Sequence, residues 1–436
     1  MAGIFNRTAI PVESKNLKYA PVKTRAGTMY DLVLKGKFLT GRKLMEGSVG
    51  ISDGKIARLS TGELKGEEVV EIERERIILP GLMDTHVHIR DFEQTDKETV
   101  ESGTKAALHG GITAVFDMPN TKPPVIDRKT FERRVKLFEG RSYTDYALGF
   151  LLKDNCREAG KVNADFYKIF MGASTGGIFS ANFESDYSCS PGIVSVHAED
   201  AEVVSKDPER PPEAEIRAIR RALLASKRLG KPLNICHVST ADGVGAILNS
   251  GLPWVSFEVT PHHLFLTKRD YERNPLLKVY PPLRSEEDRK ALWKNFSEIP
   301  IIASDHAPHT LEDKEEGAAG IPGLETEVAL LLDAVNRGII TIFDIVEKMH
   351  DNPLRTFGIG GRGVEVSGEA TFTVVDLGRE WTVKPEEFYT KAKWSPWEGK
   401  KLRGKVVITV LRGEVVMEDD EIVGKPEGVR LNVQGG

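Results

Sequence analysis

Cysteine is scarce in this sequence, and long apolar runs and an excess of one charge are missing. Only three cysteines, Cys156, Cys189 and Cys236, occur in 436 residues. Because they are far apart and odd in number, we expect neither a disulfide framework nor a zinc site of the Cys-x-x-Cys kind. Such usage is typical of the cell interior, so the sequence predicts a cytoplasmic protein.

Two further absences narrow the kind of partner. No window approaches the roughly 18 apolar residues of a membrane span, and the N-terminus MAGIFNRTAIPVESK lacks the apolar core of a signal peptide. The 60 basic and 65 acidic side chains are intermixed and leave a formal charge of -5, which provides no basic surface for nucleic acid or an anionic membrane. We therefore expect a small-molecule partner, with no nucleic acid and no membrane.

The two ends of the chain share a pattern of short β-type runs separated by turns, which differs from the pattern of the middle. Residues 1–28 show no clear period and are treated as an N-terminal extension without an assigned function. Short β-type runs separated by glycine-containing turns fill residues 29–80, as in DLVLKGKFLT, and return in residues 362–436, as in KVVITVLRGEVV. These ends predict one small β-rich domain formed from both parts of the chain.

The middle, residues 81–361, alternates between apolar β-branched runs and helix-like segments such as EAEIRAIRRALLASKRLG. Counting the run that ends at Arg90, eight candidate strands occur. Eight such units predict an α/β fold of the (β/α)8 TIM-barrel type, whose active site lies at the carboxyl ends of the strands. Eight of the ten histidines fall at or just beyond those ends.

Polar side chains at several strand ends predict a metal centre. In GLMDTHVHIR, His86 and His88 point the same way along a strand, although an isolated His-x-His pair is more often two ordinary histidines. His197 and His237 each follow an apolar run whose burial would otherwise exclude an unpaired ring. Asp305 closes IPIIASD in the same manner. Together these five are better explained as metal ligands than as separate core residues.

Lys168, in DFYKIFMG, is the unusual member because an ammonium has no lone pair for a metal. Carboxylation by CO2 would make it a carbamate suited to bridging two cations, whereas as an amine it would pair with Asp305 or another acid. The residues alone leave both states open. If Lys168 is carboxylated and bridges two cations, the four histidines, Lys168 and Asp305 would together suit two zinc ions and a shared hydroxide. Asp305 would then be the general base. That chemistry is amide hydrolysis, run in either direction.

From about Asp31 onward, the sequence resembles the dihydroorotases, a branch of the cyclic amidohydrolases in the metal-dependent amidohydrolase superfamily. The resemblance rests on motifs in the family's order, among them PGLMDTHVHIR, DMPNTKPP, FYKIFMG, VHAED, CHVST, PPLR, SDHAPHT and GIPGLET. It implies a (β/α)8 barrel with a side β domain. It also implies the reversible cyclisation of N-carbamoyl-L-aspartate to L-dihydroorotate plus water, in pyrimidine synthesis.

The resemblance further implies roles for individual metal ligands. His86 and His88 would hold one zinc ion, His197 and His237 would hold the other, and carboxylated Lys168 would bridge the two. Asp305 would be both a metal ligand and the catalytic acid and base.

The family's substrate-binding positions also have matches here, which are Arg90, Asn120, His309 and the backbone near Ala319 and Gly320. Arg90 can hold the substrate carboxylate with two parallel hydrogen bonds. Hydantoinases and allantoinases typically lack this arginine and asparagine, because their substrates lack that carboxylate. Where the family commonly has asparagine before PPLR, this chain has Tyr280, whose phenol could donate from further out.

Two alternatives stay open. One is a different cyclic amidohydrolase, either a hydantoinase (dihydropyrimidinase) or an allantoinase. The other is a non-catalytic dihydroorotase-like scaffold that serves a partner such as aspartate transcarbamoylase, although degenerate scaffolds usually lose ligands. The sequence also leaves homo-oligomerisation open. By strand alternation, Cys236 is expected to point away from the metals and into the core.

Overall fold

The computed structural model describes residues 29–73, 75–174 and 177–433, so the predicted extension at 1–28 lies outside the described residues. In chain order the strands are β1 (Met29–Thr40), β2 (Lys43–Ser52), β3 (Lys55–Ser60), β4 (Lys65–Glu71), β5 (Arg76–Pro80), β6 (Leu82–Val87), β7 (Ile112–Asp117), β8 (Asp145–Leu151), β9 (Phe166–Phe170), β10 (Val194–His197), β11 (Leu233–Ile235), β12 (Val255–Val259), β13 (Ile301–Ile302), β14 (Phe372–Thr382), β15 (Lys401–Leu411), β16 (Glu414–Glu418) and β17 (Glu421–Ile422). They form two separate sheets.

The helices lie mainly between the strands of the middle of the chain. They are α1 (Val100–His109), α2 (Arg128–Phe138), α3 (Cys156–Ala159), α4 (Phe183–Cys189), α5 (Ala201–Lys206), α6 (Pro212–Leu229), α7 (Ala241–Ser250), α8 (Pro261–Phe265), α9 (Lys268–Arg273), α10 (Glu286–Lys294), α11 (Leu311–Glu315), α12 (Glu327–Asn336), α13 (Ile342–Val346) and α14 (Asn352–Phe357). Within the described ranges, none of them is both long and apolar enough to cross a membrane.

The middle of the chain forms a parallel barrel. Strands β6 to β13 are neighbours in sequence order, and the ring closes where the His88 amide donates to the His306 carbonyl over 2.8 Å. All six residues of β7 are buried, because helices cover the outer face while side chains fill the interior. This double burial explains why the strands read as continuous apolar runs, and it confirms the predicted TIM-type barrel.

Both ends of the chain contribute to the second sheet, as predicted. Its order is β17-β16-β15-β14-β5-β1-β2-β3, with β4 also paired to β1, and most of its pairs are antiparallel. The junction of β5 with β14 joins the two halves, since Ile78 pairs with Val374 there. The bounds proposed for the separate domains remain predictions.

The chain passes from this sheet into the barrel through a tight contact at Gly81. A Cβ at that position would lie 2.6 Å from Thr113 Oγ1 and 2.6 Å from Thr371 Cγ2, so only glycine fits without a shift. The close passage fixes where β6 starts, and β6 carries the first histidine of the predicted metal centre.

The expectation of no disulfide is wrong. Cys156 and Cys189 are joined by a disulfide bond, with their Cα atoms 5.7 Å apart. The two residues are 33 positions apart in sequence, but α3 and α4 are packed against each other. The amide of Asp154, just before α3, donates to Asp186 Oδ1 in α4 over 2.9 Å. Sequence spacing does not reveal which loops of a barrel are neighbours, so the pair was missed.

Candidate metal and substrate site

The carboxyl ends of the barrel strands surround a pocket of about 360 Å³. Its lining includes ten of the twelve residues predicted for the site. The lining residues are His86, His88, Arg90, Asn120, Phe170, Ser174, His197, His237, Tyr280, Asp305, Ala319 and Gly320. The other two predicted residues, Lys168 and His309, lie directly behind this lining. The structure therefore brings the whole predicted set together.

His86, His88 and Asp305 meet at one corner of the pocket. The Nε2 atoms of the two histidines lie 3.4 Å and 3.1 Å from Asp305 Oδ1. Their opposite nitrogens are held from behind, because His86 Nδ1 lies 3.0 Å from Glu258 Oε2 and His88 Nδ1 lies 2.8 Å from Asn120 Oδ1. Each ring thus directs one nitrogen towards the corner, as a metal-ligating histidine does when its second nitrogen donates to an oxygen.

His197 and His237 form a second corner. Nδ1 of His197 lies 3.1 Å from Nε2 of His237, and Nε2 of His197 lies 2.9 Å from Glu199 Oε2. The rings of His86 and His237 are 5.2 Å apart between centroids, so the two corners adjoin. The facing nitrogens of the second pair are positioned to bind one ion between them.

Lys168 lies beneath the pocket, between these two corners. The side chain is fully buried, and its Nζ donates to the Cys236 sulfur over 3.0 Å. In the part of the chain that the structure describes, no carboxylate lies within 4.0 Å of this Nζ. A buried ammonium without a carboxylate partner is costly.

The placement of Cys236 corrects the expectation drawn from strand alternation. Strand β11 ends at Ile235, and His237 adopts a left-handed backbone with φ of 38°. Because the alternation stops there, the Cys236 sulfur faces Lys168 instead of the core behind the strand. Cys236, His86 and Glu258 also form a second group of possible ligand atoms.

Three of the site residues share the left-handed backbone. Arg90, His237 and Asp305 have φ values of 53°, 38° and 50°, a region that residues other than glycine seldom adopt. Such conformations persist where the surrounding structure enforces them, and they cluster at functional sites.

Electrostatics favours a cation at the first corner. Burial lowers the pKa of His88 to about 3. Burial and the Lys168 ammonium oppose a charge on His86, but Cys236 and Asp305 outweigh them and raise the pKa of His86 to about 10. Although burial opposes it, the histidines hold the pKa of Asp305 well below its usual range. Asp305 is therefore an anion that attracts one positive charge, which a metal ion would also supply.

The donor atoms fit a metal centre. His86, His88 and Asp305 offer ligand atoms that all lie within 4.8 Å of one another. Imidazole nitrogens and carboxylate oxygens are the usual ligands of zinc. The buried, left-handed Asp305 and the anchored rings support such a centre from geometry alone.

Arg90 lines the pocket, and His309 lies directly behind it. Arg90 Nη2 is 3.2 Å from His309 Nε2, and Arg90 Nε donates to the Pro308 carbonyl over 3.3 Å. Strand β6 ends at Val87, so the position of Arg90 depends on its left-handed turn and not on strand alternation. The guanidinium is directed into the pocket beside His88.

Ala319 and Gly320 form the rim that follows β13. Gly320 has φ of 133°, and a Cβ there would lie 2.6 Å from the Ala307 carbonyl oxygen. Lys314 fixes this rim, because its ammonium donates to the carbonyls of Lys278, Ala318 and Gly320 over 3.0, 2.7 and 2.7 Å. The backbone of the rim is thus held in place without a ligand.

Tyr280 also lines the pocket, in a segment joined to this rim because the Gly320 amide donates to the Lys278 carbonyl over 2.9 Å. The Arg210 guanidinium stacks on its ring at 3.6 Å and also donates to Glu199. Glu199 therefore connects His197 to the rim that carries Tyr280.

The sequence interpretation did not include two buried acids, although the sequence carried a signal for one of them. Glu258 and Glu199 are fully buried and each holds a predicted metal ligand. Glu258 stands in the apolar run VSFEV, as Asp305 stands after IPIIAS, and a buried acid of this kind is rare without a partner. Treating every acidic residue within an apolar run as a candidate site residue would have identified Glu258.

The fold and the site together define a cyclic amidohydrolase. Residues 77–140 match the amidohydrolase family. The solved structure of an L-hydantoinase (dihydropyrimidinase) from Arthrobacter aurescens is similar, with a TM-score of 0.86 and 29% identity over 93% of this chain and 100% of that chain.

The sequence comparisons identify the particular branch. A dihydroorotase of Thermococcus kodakarensis is 72% identical over 408 residues, covering 94% of this chain and all of that protein. A dihydroorotase of Pyrococcus horikoshii is 64% identical over 94% of this chain and 97% of its own length. This chain belongs to the dihydroorotase family, and the predicted hydrolase that acts on cyclic amides is confirmed.

Proposed function

We propose that this enzyme catalyses the zinc-dependent, reversible cyclisation of N-carbamoyl-L-aspartate to (S)-dihydroorotate and water, a step of de novo UMP synthesis. The observation that carries the proposal is the position of Arg90. Its buried guanidinium faces the pocket beside the His86, His88 and Asp305 corner. Dihydroorotate has a carboxylate outside its reacting amide, and a guanidinium can bind that group with two parallel hydrogen bonds.

The remaining substrate contacts follow from the same arrangement. Because Asn120 Oδ1 accepts from His88 Nδ1 over 2.8 Å, the amide NH2 of Asn120 is the group left to donate to the substrate. His309 lies next to Arg90, and Tyr280, Ala319 and Gly320 line the rest of the pocket. These groups would orient the ring so that its amide carbonyl faces Asp305.

Four histidines and Asp305 would hold two zinc ions, with Lys168 as the bridging carbamate. The ions would supply Lewis-acid chemistry, which acidifies a water molecule and polarises the amide carbonyl. The absence of a carboxylate next to Lys168 Nζ among the described residues supports the carbamate.

Asp305 would carry the proton. In the hydrolytic direction its carboxylate accepts a proton from the attacking water and gives it to the ring nitrogen as the C–N bond breaks. In the cyclising direction it takes the proton from the ureido nitrogen and gives it to the departing oxygen. The lowered pKa of Asp305 keeps its carboxylate ionised, which is the form able to accept a proton, and it favours passing that proton on to the leaving nitrogen.

A substrate panel and a metal assay on one purified sample test the proposal. We expect turnover of dihydroorotate to exceed turnover of hydantoin, dihydrouracil and allantoin, with about two zinc ions per chain. The matched variant Asp305→Asn should keep most of the zinc but lose turnover. Faster turnover of an uncharged ring would favour a hydantoinase. Protein without zinc that stays inactive after zinc and bicarbonate are supplied would favour the scaffold.

Association with aspartate transcarbamoylase, assembly of identical chains and a cytoplasmic location remain predictions. Co-purification from the source cells would test the first, and light scattering of the purified protein would test the second. Cell fractionation would test the third.

A further inference from the structure

His309 lies between two cations. Its Nε2 is 3.2 Å from Arg90 Nη2, and its Nδ1 is 3.2 Å from Lys97 Nζ. The ring is buried, with 1% of its surface exposed. Guanidinium and ammonium groups only donate hydrogen bonds, whereas a neutral imidazole has one donor nitrogen and one acceptor nitrogen. The ring therefore cannot accept from both neighbours at once.

The surroundings of the ring decide which nitrogen accepts. Burial, Arg90 and Lys97 together lower the pKa of His309 to about 2, so the ring is neutral. Lys97 Nζ is aimed at Nδ1 by Asp313, whose Oδ1 lies 2.9 Å from it. The other oxygen of Asp313 accepts from the Thr310 amide over 3.1 Å at the start of α11, so this carboxylate is itself fixed.

A proton on Nδ1 has no suitable acceptor in this arrangement. It would face the Lys97 ammonium, and the other candidate, Asp313 Oδ2, is 3.6 Å away, which is beyond hydrogen-bond distance. A proton on Nε2 also faces a cation, Arg90, but this edge of the ring borders the pocket, because a Cβ on the pocket-lining Gly320 would lie 3.1 Å from His309 Cδ2. A ligand in the pocket can therefore accept from Nε2 but not from Nδ1. We therefore assign Nδ1 as the nitrogen that accepts from Lys97 and Nε2 as the nitrogen that carries the proton. The Nε2–H then lies beside Arg90 Nη2, so two donors stand 3.2 Å apart.

We propose that Lys97 is a positioning residue that holds His309 in its Nε2–H form, so that His309 and Arg90 present two adjacent donors to the substrate carboxylate. The identity of that carboxylate rests on the proposed function. Two donors at this spacing can each bind one oxygen of a carboxylate. Without Lys97, Nδ1 loses its donor and Asp313 Oδ1 loses its ion pair. The Asp313 carboxylate can then turn towards the ring, and the ring proton moves to Nδ1. Nε2 then accepts from Arg90, and this internal hydrogen bond competes with the substrate.

Kinetics of Lys97→Met tests the consequence for binding. Loss of one hydrogen bond to a charged group predicts a KM for dihydroorotate that is about 10- to 100-fold higher, with kcat little changed. Lys97→Arg keeps a cationic donor and should restore much of the lower KM. The matched control is Lys105→Met, which removes another half-buried lysine that contacts the Tyr143 ring at 4.7 Å and should leave KM unchanged. An unchanged KM in Lys97→Met would overturn the proposal, as would an equal rise in the Lys105 control.

The tautomer can be measured directly, without any substrate. In the zinc-loaded full chain with 15N-labelled histidine, the His309 signals, assigned by their loss in His309→Gln, should be those of an Nε2–H ring. In Lys97→Met they should become those of an Nδ1–H ring, because the ring proton then points to Asp313. A wild-type ring protonated on Nδ1, or on both nitrogens, would refute the proposal. If dihydroorotate proved not to be a substrate, the function would fail while this measurement still decided the role of Lys97.

Discussion

Glu258 provides the sharpest test of how the metal site is held. Its side chain is fully buried, and Oε2 lies 3.0 Å from His86 Nδ1. Oε1 accepts from Thr85 Oγ1 and from Asn234 Nδ2, each over 2.8 Å. Although burial opposes it, the hydrogen bond to His86 holds the pKa of Glu258 below its usual value. The carboxylate is therefore an anion that orients His86.

Glu258→Gln removes the charge and keeps the shape. The amide oxygen can still accept from His86, but a neutral acceptor contributes about 1 kcal/mol less than a charged one. That difference is about a fivefold loss in zinc affinity, just below the roughly 10- to 100-fold range for such outer partners. The amide NH2 would also face the NH2 of Asn234, so we expect a loss of about 1–3 kcal/mol in stability.

The assay must separate the loss of affinity from the loss of stability. Zinc affinity is measured by competition with a chelator well below the Tm, and the Tm is measured in excess zinc. The matched control is Asp165→Asn, another buried carboxylate, which accepts from the Leu148 amide over 2.7 Å and from Arg430 Nε over 2.9 Å at the amino end of β9. We expect the control to lower stability without changing zinc affinity. Unchanged zinc affinity in Glu258→Gln, or an equal loss in the control, would refute this account of His86.

Two further predictions concern Lys168 and His109. Lys168→Ala should lower the zinc content measured by elemental analysis, and a variant that kept two zinc ions and full activity would contradict the carbamate bridge. His109 contacts Glu325 at 2.6 Å and Asp420 at 3.1 Å, and these acids raise its pKa to about 9 against the effect of burial. Because that pKa is above the value of about 6.5 in the unfolded chain, the stabilisation is complete below pH 6.5 and about 3 kcal/mol is lost as pH rises through 9. Urea unfolding at several pH values should show this decline, and His109→Gln should flatten it; identical curves would contradict the assignment.

Hydrophobic periodicity was enough to predict the architecture. Each of the eight apolar runs became a barrel strand because both of its faces are buried. The glycine-punctuated runs at the two ends became one sheet for a different reason. A strand such as β1 needs a partner, and β2 follows it directly, pairing Leu32 with Ile51. Local sequence carries both signals, so the sequence alone could predict them.

The errors lie where the backbone leaves regular structure. Cys236 was assigned to the wrong face because the chain turns at His237, and no sequence period reports a single left-handed residue. The Cys156–Cys189 disulfide was missed because the contact joins loops after different strands. Arg90 reached its predicted place, but through a left-handed turn beyond the end of β6. Side-chain alternation is reliable only while the ladder of hydrogen bonds continues.

Some of the residues that would bind the substrate also form hydrogen bonds on the side away from the pocket. Those hydrogen bonds determine which of their polar atoms are left to contact the substrate. Asn120 accepts from His88 through its oxygen, so only its NH2 is left to face the pocket. Arg90 can only donate, and in the proposed tautomer His309 donates as well. Three neighbouring groups therefore offer donors and no acceptor, a combination that suits an anion and would leave an uncharged ring poorly bound. In the proposed function, the carboxylate of the substrate would thus be selected by partners of the binding residues, Lys97 and His88, as much as by the binding residues themselves.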